Sequence, residues 1–374
     1  MRDLSQENLG SYLGFLLRLP VKILGLAPLG EPLQTGPLTR SLKGYGYGVP
    51  IDVEFEVAGK RHRAVLETMS PGPFGHEEMA DRAQALLWSH AAFNRLPHHV
   101  RSLDVGGFQR DGALLSLGKV EEPFLLMEYV EGQGYFQDLI RLREGGALTE
   151  VDRARADALC DYLVEIHRLP GPDPGLYVRR IRELVGHGEC IMGLIDSYPS
   201  DGIENGSATR HGFTSKLLEE IEQRCVAWRW RLKGRTERLR QVHGDFHPWN
   251  ILFRSGADFT VLDRSRGEWG DPADDVSCLT MNYLFFSLQK SGRLEGDFEV
   301  LFRRFWRRYL EKSGDKELLN VVAPFFAFRG LVMASPLWYP NLDEGVRRKL
   351  FAFIRAVLDA PAFDPEKINE YCNA

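Results

Sequence analysis

Three polar side chains stand out against apolar surroundings in one stretch of the chain, residues 242–276: Asp245, Asn250 and Asp263. Asn250 follows Asp245 by five positions, and Asp263 follows Asn250 by thirteen. Phosphoryl transfer uses these residue types, because one carboxylate orients or deprotonates the attacking hydroxyl group. A second carboxylate and an amide oxygen bind Mg²⁺ against the phosphates of a nucleotide. The pattern therefore favours a phosphoryl-transfer site, although Asp and Asn that merely cap turns would look similar.

Two short strands are expected to position these side chains. Ile251–Phe253 and residues 259–262 are apolar, and the Ser-Gly-Ala-Asp sequence between them is typical of a turn. A hairpin here would bring Asn250 and Asp263 together at its open end, with Asp245 on the loop just before it.

The motif H-G-D-F-H-P-W-N at residues 243–250 resembles that of the aminoglycoside phosphotransferase and choline kinase family. The family's metal triplet, D-[WF]-E, is here Asp263-Arg264-Ser265 and agrees only at its aspartate. The family's next motif is complete: Gly270, Asp271, Pro272 and Asp275.

The resemblance implies an α+β, bilobal protein-kinase-like fold, with a small β-rich N-terminal lobe and a larger, mostly helical C-terminal lobe. It implies Asp245 as the catalytic base, Asn250 and Asp263 as metal ligands, and ATP and Mg²⁺ as cofactors. Residues 1–130 are expected to form the nucleotide-binding lobe. Residues 131–374 are expected to form the catalytic and substrate lobe.

A glycine cluster precedes a strand with alternating polarity, Ile51–Val57. Glycines let backbone N–H groups approach phosphates closely, so the cluster suits a phosphate cover, although an ordinary flexible hairpin has the same composition. The predicted nucleotide contacts here are Lys43, Gly44, Gly46 and Gly48.

The returning strand has Glu67 where kinase-like families place a lysine that pairs with the ATP phosphates. A carboxylate facing a phosphate is repulsive unless a cation lies between them. Another cation can substitute, with Lys43 the first candidate and Arg63 the second. Alternatively, the strand register differs from the predicted one, or nucleotide binding is weak and catalysis is lost.

Residues 124–132 are predicted to form a buried strand that runs into a bend at the lobe boundary. The resemblance implies that the backbone of Met127, Glu128 and Tyr129 hydrogen-bonds the adenine. Further along the chain, His167 is expected to be structural. Asp274 or Asp275 is expected to begin the next helix, and Asp275 is expected to brace the catalytic loop.

The composition limits the class of protein. The net charge of −5 gives no electrostatic reason to expect nucleic acid or an anionic membrane as partner. The five cysteines are odd in number and form no CxxC pair, which indicates a reducing compartment, so a cytoplasmic location is expected. No segment has 18 uninterrupted apolar residues, so no membrane span is predicted.

The acceptor is predicted to be a small hydroxyl compound. Asp271 follows Asp263 by eight positions, which leaves no room for the activation segment of a protein kinase. A protein kinase is therefore disfavoured. Acidic residues in the pocket would suit a cationic acceptor such as an amino sugar, an amino alcohol or choline. The residues predicted to line it are Trp249, Glu268, Trp269 and Tyr283.

A nucleotide-binding pseudoenzyme with a regulatory role is the alternative function. Glu67 supports it, whereas the complete set of Asp245, Asn250 and Asp263 opposes it.

Overall fold

The computed structural model describes residues 4–29, 48–72, 74–95, 97, 99–199, 213–264 and 266–373. The chain divides into two compact units, Met1–Met127 and Glu128–Ala374. The first contains five strands and two helices among the described residues, and the second is mainly helical, which confirms the predicted α+β class. The division of labour predicted for residues 1–130 and 131–374 stays a prediction.

The first unit contains an antiparallel three-stranded sheet in the order β1-β2-β3, with α1 packed against it. The side chains of Val53, Phe55 and Val57 in β2 are buried, as the alternation of apolar and polar residues along that strand predicts. They form one core with Leu9 and Leu13 of the helix. The elements of this unit are α1 (Gln6–Leu17), β1 (Val21–Pro28), β2 (Ile51–Val57), β3 (Lys60–Leu66), α2 (Met79–Phe93), β4 (Gly106–Phe108) and β5 (Leu114–Ser116).

The buried strand predicted within residues 124–132 is wrong. The backbone of residues 124–130 belongs to no strand, and the side chains of Phe124 and Tyr129 are 89% and 90% exposed. An apolar run becomes a buried strand only when a neighbouring strand supplies hydrogen bonds to it. The strands described just before it, β4 and β5, pair with each other instead.

The second unit is a helical body with two small sheets on it, β6-β8-β9 and β7-β10. Its core is formed mostly by α8, which is buried along nearly its whole length, and by α4, α9, α11 and α12. The elements are β6 (Gln133–Gly134), α3 (Phe136–Arg143), α4 (Glu150–Ile166), α5 (Gly175–Gly186), α6 (Ile191–Asp196), α7 (Ser215–Leu232), β7 (Arg240–Gln241), β8 (Ile251–Phe253), β9 (Phe259–Val261), β10 (Trp269–Gly270), α8 (Pro272–Ser291), α9 (Gly296–Ser313), α10 (Leu318–Val321), α11 (Ala323–Ala334), α12 (Glu344–Asp359) and α13 (Ile368–Tyr371).

Close packing of α11 against α12 depends on a glycine. A Cβ atom at Gly330 would lie 2.7 Å from Cγ1 of Ile354, so a larger residue would force the two helices apart. This packing anchors α11, the helix that carries Arg329.

No helix in the described part of the chain is long and apolar enough to cross a membrane.

Candidate active site

The predicted hairpin is present as β8 and β9, with Ile251 opposite Val261. One further hydrogen bond extends the ladder, from the backbone N–H of Leu262 to the carbonyl of Asn250 (2.8 Å). Asp263 follows directly, with a positive φ of 56° that turns the chain away from the strand. The backbone thus brings Asn250 and Asp263 to the same end of the hairpin, as the sequence predicts.

Hydrogen bonds fold the loop before the hairpin onto itself. The Asn250 side chain donates from Nδ2 to the carbonyl of Asp245 (3.1 Å), and the backbone N–H of His247 donates to the same oxygen (2.9 Å). This leaves Oδ1 of Asn250 with no donor among the described residues. Asp263 is exposed. An amide oxygen and a carboxylate are therefore available as ligands at this end of the hairpin.

The Asp245 carboxylate is surrounded by cationic and hydrogen-bonding groups. Its Oδ1 accepts from Nη1 of Arg329 (2.5 Å) and lies 3.9 Å from Nε of Arg266. Its Oδ2 lies 3.5 Å from Nε2 of His247. Burial alone would raise the pKa of Asp245, but the hydrogen bond from His247 and the two arginine charges outweigh it. The pKa of Asp245 is consequently well below its ordinary value, and the carboxylate is ionised at neutral pH.

Arg329 is a site residue that the sequence analysis missed. It lies in the middle of α11, is only 5% exposed, and is the one charged residue of that helix. Its Nη2 donates to the carbonyl of Gly244 (2.9 Å) and to Oδ1 of Asp274 (2.6 Å). A lone arginine in the apolar run APFFAFRGLVMA is a usable signal, because a buried charge requires partners.

Asp275 braces the loop from behind. Its carboxylate accepts from the backbone N–H groups of His243 (2.8 Å) and Gly244 (2.7 Å), and from Nε2 of His167 (3.1 Å). His167 is also hydrogen-bonded to the Tyr309 hydroxyl (2.7 Å), so it is structural as predicted. The bracing role predicted for Asp275 is confirmed.

The prediction that Asp274 or Asp275 begins the following helix is wrong. The N-cap of α8 is Asp271, whose side chain accepts from the backbone N–H of Ala273 (3.0 Å). Pro272 is the reason, because proline is well suited to the first position of a helix and there needs no donor. Arg238 donates two hydrogen bonds of 2.8 Å to the Asp271 carboxylate, which fixes the start of the helix.

The predicted nucleotide contacts are only partly within the described residues; Lys43, Gly44 and Gly46 lie outside them. At Gly48, a Cβ atom would lie 2.1 Å from the carbonyl oxygen of Thr68, so only glycine fits there. Met127, Glu128 and Tyr129 are exposed, and their predicted contact with adenine stays untested.

The missing strand lysine has no ready substitute in β3. Glu67 directly follows the strand and is exposed. Arg63, the second candidate cation, is bound to the Asp52 carboxylate, with Nε 3.1 Å from Oδ1. Among the candidates this leaves Lys43, which is outside the described residues.

The predicted acceptor-lining residues differ in accessibility. Trp249 is 38% exposed and stacks on Phe136, with 5.4 Å between ring centroids. Tyr283 is fully buried, and its hydroxyl is 3.0 Å from that of Tyr135, so its predicted lining role is wrong: α8 turns it into the core. Trp269 is partly buried in β10, and Glu268 is exposed.

Three solved structures match the chain over most of their length, at low identity and low TM-score. They are "Structure of the gentamicin-APH(2")-IIa complex" (14% identity, 96% of this chain and 97% of that chain, TM-score 0.32), "Glucosamine kinase (crystal form A)" (15%, 95% and 90%, 0.35) and choline kinase from Cryptosporidium parvum Iowa II (10%, 94% and 86%, 0.33). At these TM-scores the similarities support no assignment of residues. No curated protein sequence matches the chain.

The match to a family of sequences is more decisive. The model of the phosphotransferase enzyme family covers residues 55–311, which is more than half of the chain and includes the whole loop and hairpin. This agrees with the resemblance drawn from residues 243–250 and with a kinase-like fold. The chain therefore belongs to the phosphotransferase enzyme family.

Proposed function

We propose that the protein transfers the γ-phosphoryl group of ATP to a hydroxyl group of a small molecule. The observation that supports this most is the state of Asp245. Its carboxylate is ionised and fixed by Arg329, on a loop that Asp275 braces, next to two further oxygen ligands. Charge and position are what catalysis of phosphoryl transfer mainly requires of a protein.

Asp245 acts on the acceptor. The acceptor oxygen forms a bond to the γ-phosphorus while the bond from that phosphorus to the β,γ-bridging oxygen breaks, and the electron pair leaves with ADP. Asp245 accepts a hydrogen bond from the attacking hydroxyl and takes its proton as the new bond forms. Because the low pKa of Asp245 makes it a weak base, its main contribution is to orient the hydroxyl group.

Asn250 and Asp263 are proposed to hold Mg²⁺. The oxygen donors fit this ion: Oδ1 of Asn250 is without a donor in the described part of the chain, and the Asp263 carboxylate is exposed. Mg²⁺ commonly keeps several water ligands and is bound by one or two protein oxygens together with phosphate oxygens of a nucleotide. When bound, Mg²⁺ would neutralise phosphate charge.

The nucleotide is proposed to contact Lys43, Gly44, Gly46 and Gly48 through its phosphates, and the backbone of Met127, Glu128 and Tyr129 through its base. Of the first set the structure describes Gly48, where the close approach to the Thr68 carbonyl leaves no room for a side chain. The pseudoenzyme alternative gains no support from the site, since Asp245 and the backbone of His243 and Gly244 are held by hydrogen bonds.

The test is Mg²⁺-dependent release of ADP, measured with and without candidate hydroxyl acceptors. Asp245→Asn and Asp263→Ala should abolish it, while circular dichroism and Tm confirm that both variants are folded. Arg307→Gln, on the exposed face of α9, is the control and should retain full activity. Rates like those of the wild type in either aspartate variant would refute the assigned roles.

A further inference from the structure

Several arginines of this protein bind a carboxylate through the same edge of the guanidinium group. In Arg238, Arg304 and Arg308, Nε and Nη2 donate to the two oxygens of Asp271, Asp157 and Asp161, at 2.6–2.8 Å. The spacing of these two donors matches the spacing of two oxygens on a carboxylate or a phosphate. The edge formed by Nε and Nη2 is thus the usual oxyanion-binding edge.

In Arg266, which lies beside Asp245, the edge formed by Nε and Nη2 makes no hydrogen bond to a described residue. Its Nε is buried without a hydrogen-bond partner and lies 3.9 Å from Oδ1 of Asp245. No hydrogen bond from the described residues engages its Nη2. The Arg266 side chain as a whole is 24% exposed. A buried N–H without a partner is uncommon, which makes this edge a candidate ligand contact.

The rest of the Arg266 side chain is held in place by neutral groups. Nη1 donates to Sγ of Cys190 (3.2 Å), and burial raises the pKa of that thiol to about 11, so it carries no charge at neutral pH. The guanidinium carbon lies 4.9 Å from the centre of the Phe328 ring. These contacts orient the guanidinium group without compensating its charge.

The carboxylates near Arg266 are already occupied. Arg329 packs on the same Phe328 ring (4.5 Å) and hydrogen-bonds both Asp245 and Asp274. Of the two arginines in this cluster, Arg329 therefore hydrogen-bonds both carboxylates, whereas Arg266 has only a longer ion pair, 3.9 Å from Nε to Oδ1 of Asp245. A guanidinium group that shares its nearest carboxylate with a second arginine is unfavourable for a cationic acceptor and favourable for an anionic one.

We propose that Arg266 recognises an oxyanion on the acceptor, a carboxylate or a phosphate monoester, through Nε and Nη2 while the acceptor hydroxyl lies at Asp245. This inference rests on the proposed function, because it assumes that Asp245 receives the acceptor. It replaces the cationic acceptor expected from the sequence. A bound oxyanion would supply the missing hydrogen-bond partner of Nε.

The test uses size-matched hydroxyl compounds of different charge: glycerate, glycerol 3-phosphate, glycerol and serinol. Glycerate or glycerol 3-phosphate should drive ADP release, and comparison of the two separates the carboxylate from the phosphate. Arg266→Gln should raise the acceptor KM about ten- to a hundredfold and leave the KM of ATP unchanged. Arg266→Lys should not restore it, because lysine lacks the paired donors. Arg307→Gln, which also removes one positive charge, should behave as wild type.

Two kinetic outcomes would overturn the proposal. One is a higher kcat/KM for serinol than for the anionic compounds. The other is an Arg266→Gln variant whose KM rises for ATP and not for the acceptor, since Arg266 would then bind the transferred phosphoryl group.

A binding measurement separates this proposal from the proposed function. Glycerate or glycerol 3-phosphate should raise the Tm of the wild type and of Arg307→Gln, but not of Arg266→Gln. Binding that depends on Arg266 without any turnover retains the oxyanion site and refutes the transferase activity. Absence of such binding, together with ATP hydrolysis that Asp245→Asn abolishes, refutes the oxyanion site alone.

Discussion

Arg329 and Asp245 lie 84 positions apart in the sequence, yet their side chains meet at 2.5 Å inside the helical unit. The arginine comes from α11, whose other residues are apolar, and the aspartate comes from the loop before β8. The same guanidinium group holds Asp274 and the Gly244 carbonyl. The position of the candidate catalytic carboxylate is therefore set by a helix that contributes no other charge.

Arg329→Met should both destabilise the fold and reduce turnover. Removal of Arg329 takes the hydrogen-bonded cation from both Asp245 and Asp274, and breaking a buried ion pair in this way costs about 3–5 kcal/mol. Urea unfolding and kcat measure the two effects. Arg329→Lys should recover part of the stability, because one charge is restored without the fork of donors. Equal stability of the wild type and Arg329→Met would show that the pair is not formed in solution.

Asp275→Ala should impair the catalytic loop, although Asp275 is assigned no contact with a substrate. The backbone N–H groups of His243 and Gly244 would each lose their acceptor, at a cost of about 1–3 kcal/mol per unsatisfied group. We expect a lower Tm and a lower kcat, with the KM of ATP little changed. Asp275→Asn, which keeps one acceptor oxygen, should fall between the alanine variant and the wild type. A kcat unaffected in Asp275→Ala would exclude the bracing role.

His243 should make the stability depend on pH. Burial lowers its pKa and outweighs the attraction of Asp275, so the folded state keeps the imidazole neutral while the unfolded state protonates it near pH 6.5. The unfolded state therefore binds more protons, and stability falls as the pH drops below about 6.5, by up to about 1.4 kcal/mol per pH unit.

The matched variant for this prediction is His243→Gln. Urea unfolding at pH 7 and pH 5 should show a smaller loss of stability on acidification for the variant than for the wild type. An identical loss in the two proteins would assign the pH dependence to other groups.

The cysteines should be unreactive in the folded protein. All five are free and buried, and burial raises the pKa of Cys190 to about 11. Because the thiolate is the reactive form, a disulfide reagent at pH 8 should label none of them until denaturant is added, when all five should react. Rapid labelling of a thiol in the native protein would contradict the burial that the structure shows.

Local sequence was sufficient for the hairpin and its polar residues. The β8–β9 turn, the loop that precedes it and the alternation along β2 each depend on neighbours within a few residues, and each was predicted from them. The bracing role of Asp275 was predicted from the place of an aspartate at the start of a helix. The family was recognisable from short motifs that follow one another within residues 243–275.

Partners distant in the chain were decided by the tertiary structure alone. Which cation meets Asp245 depends on how α11 packs against α8 and α12, and no periodicity encodes that choice. Burial has the same dependence: the apolar residues 124–130 are exposed because no described strand pairs with them, whereas Tyr283 is buried because α8 lies inside the core. The sequence determined which groups can do chemistry, and the packing of distant helices decided the charges that surround them.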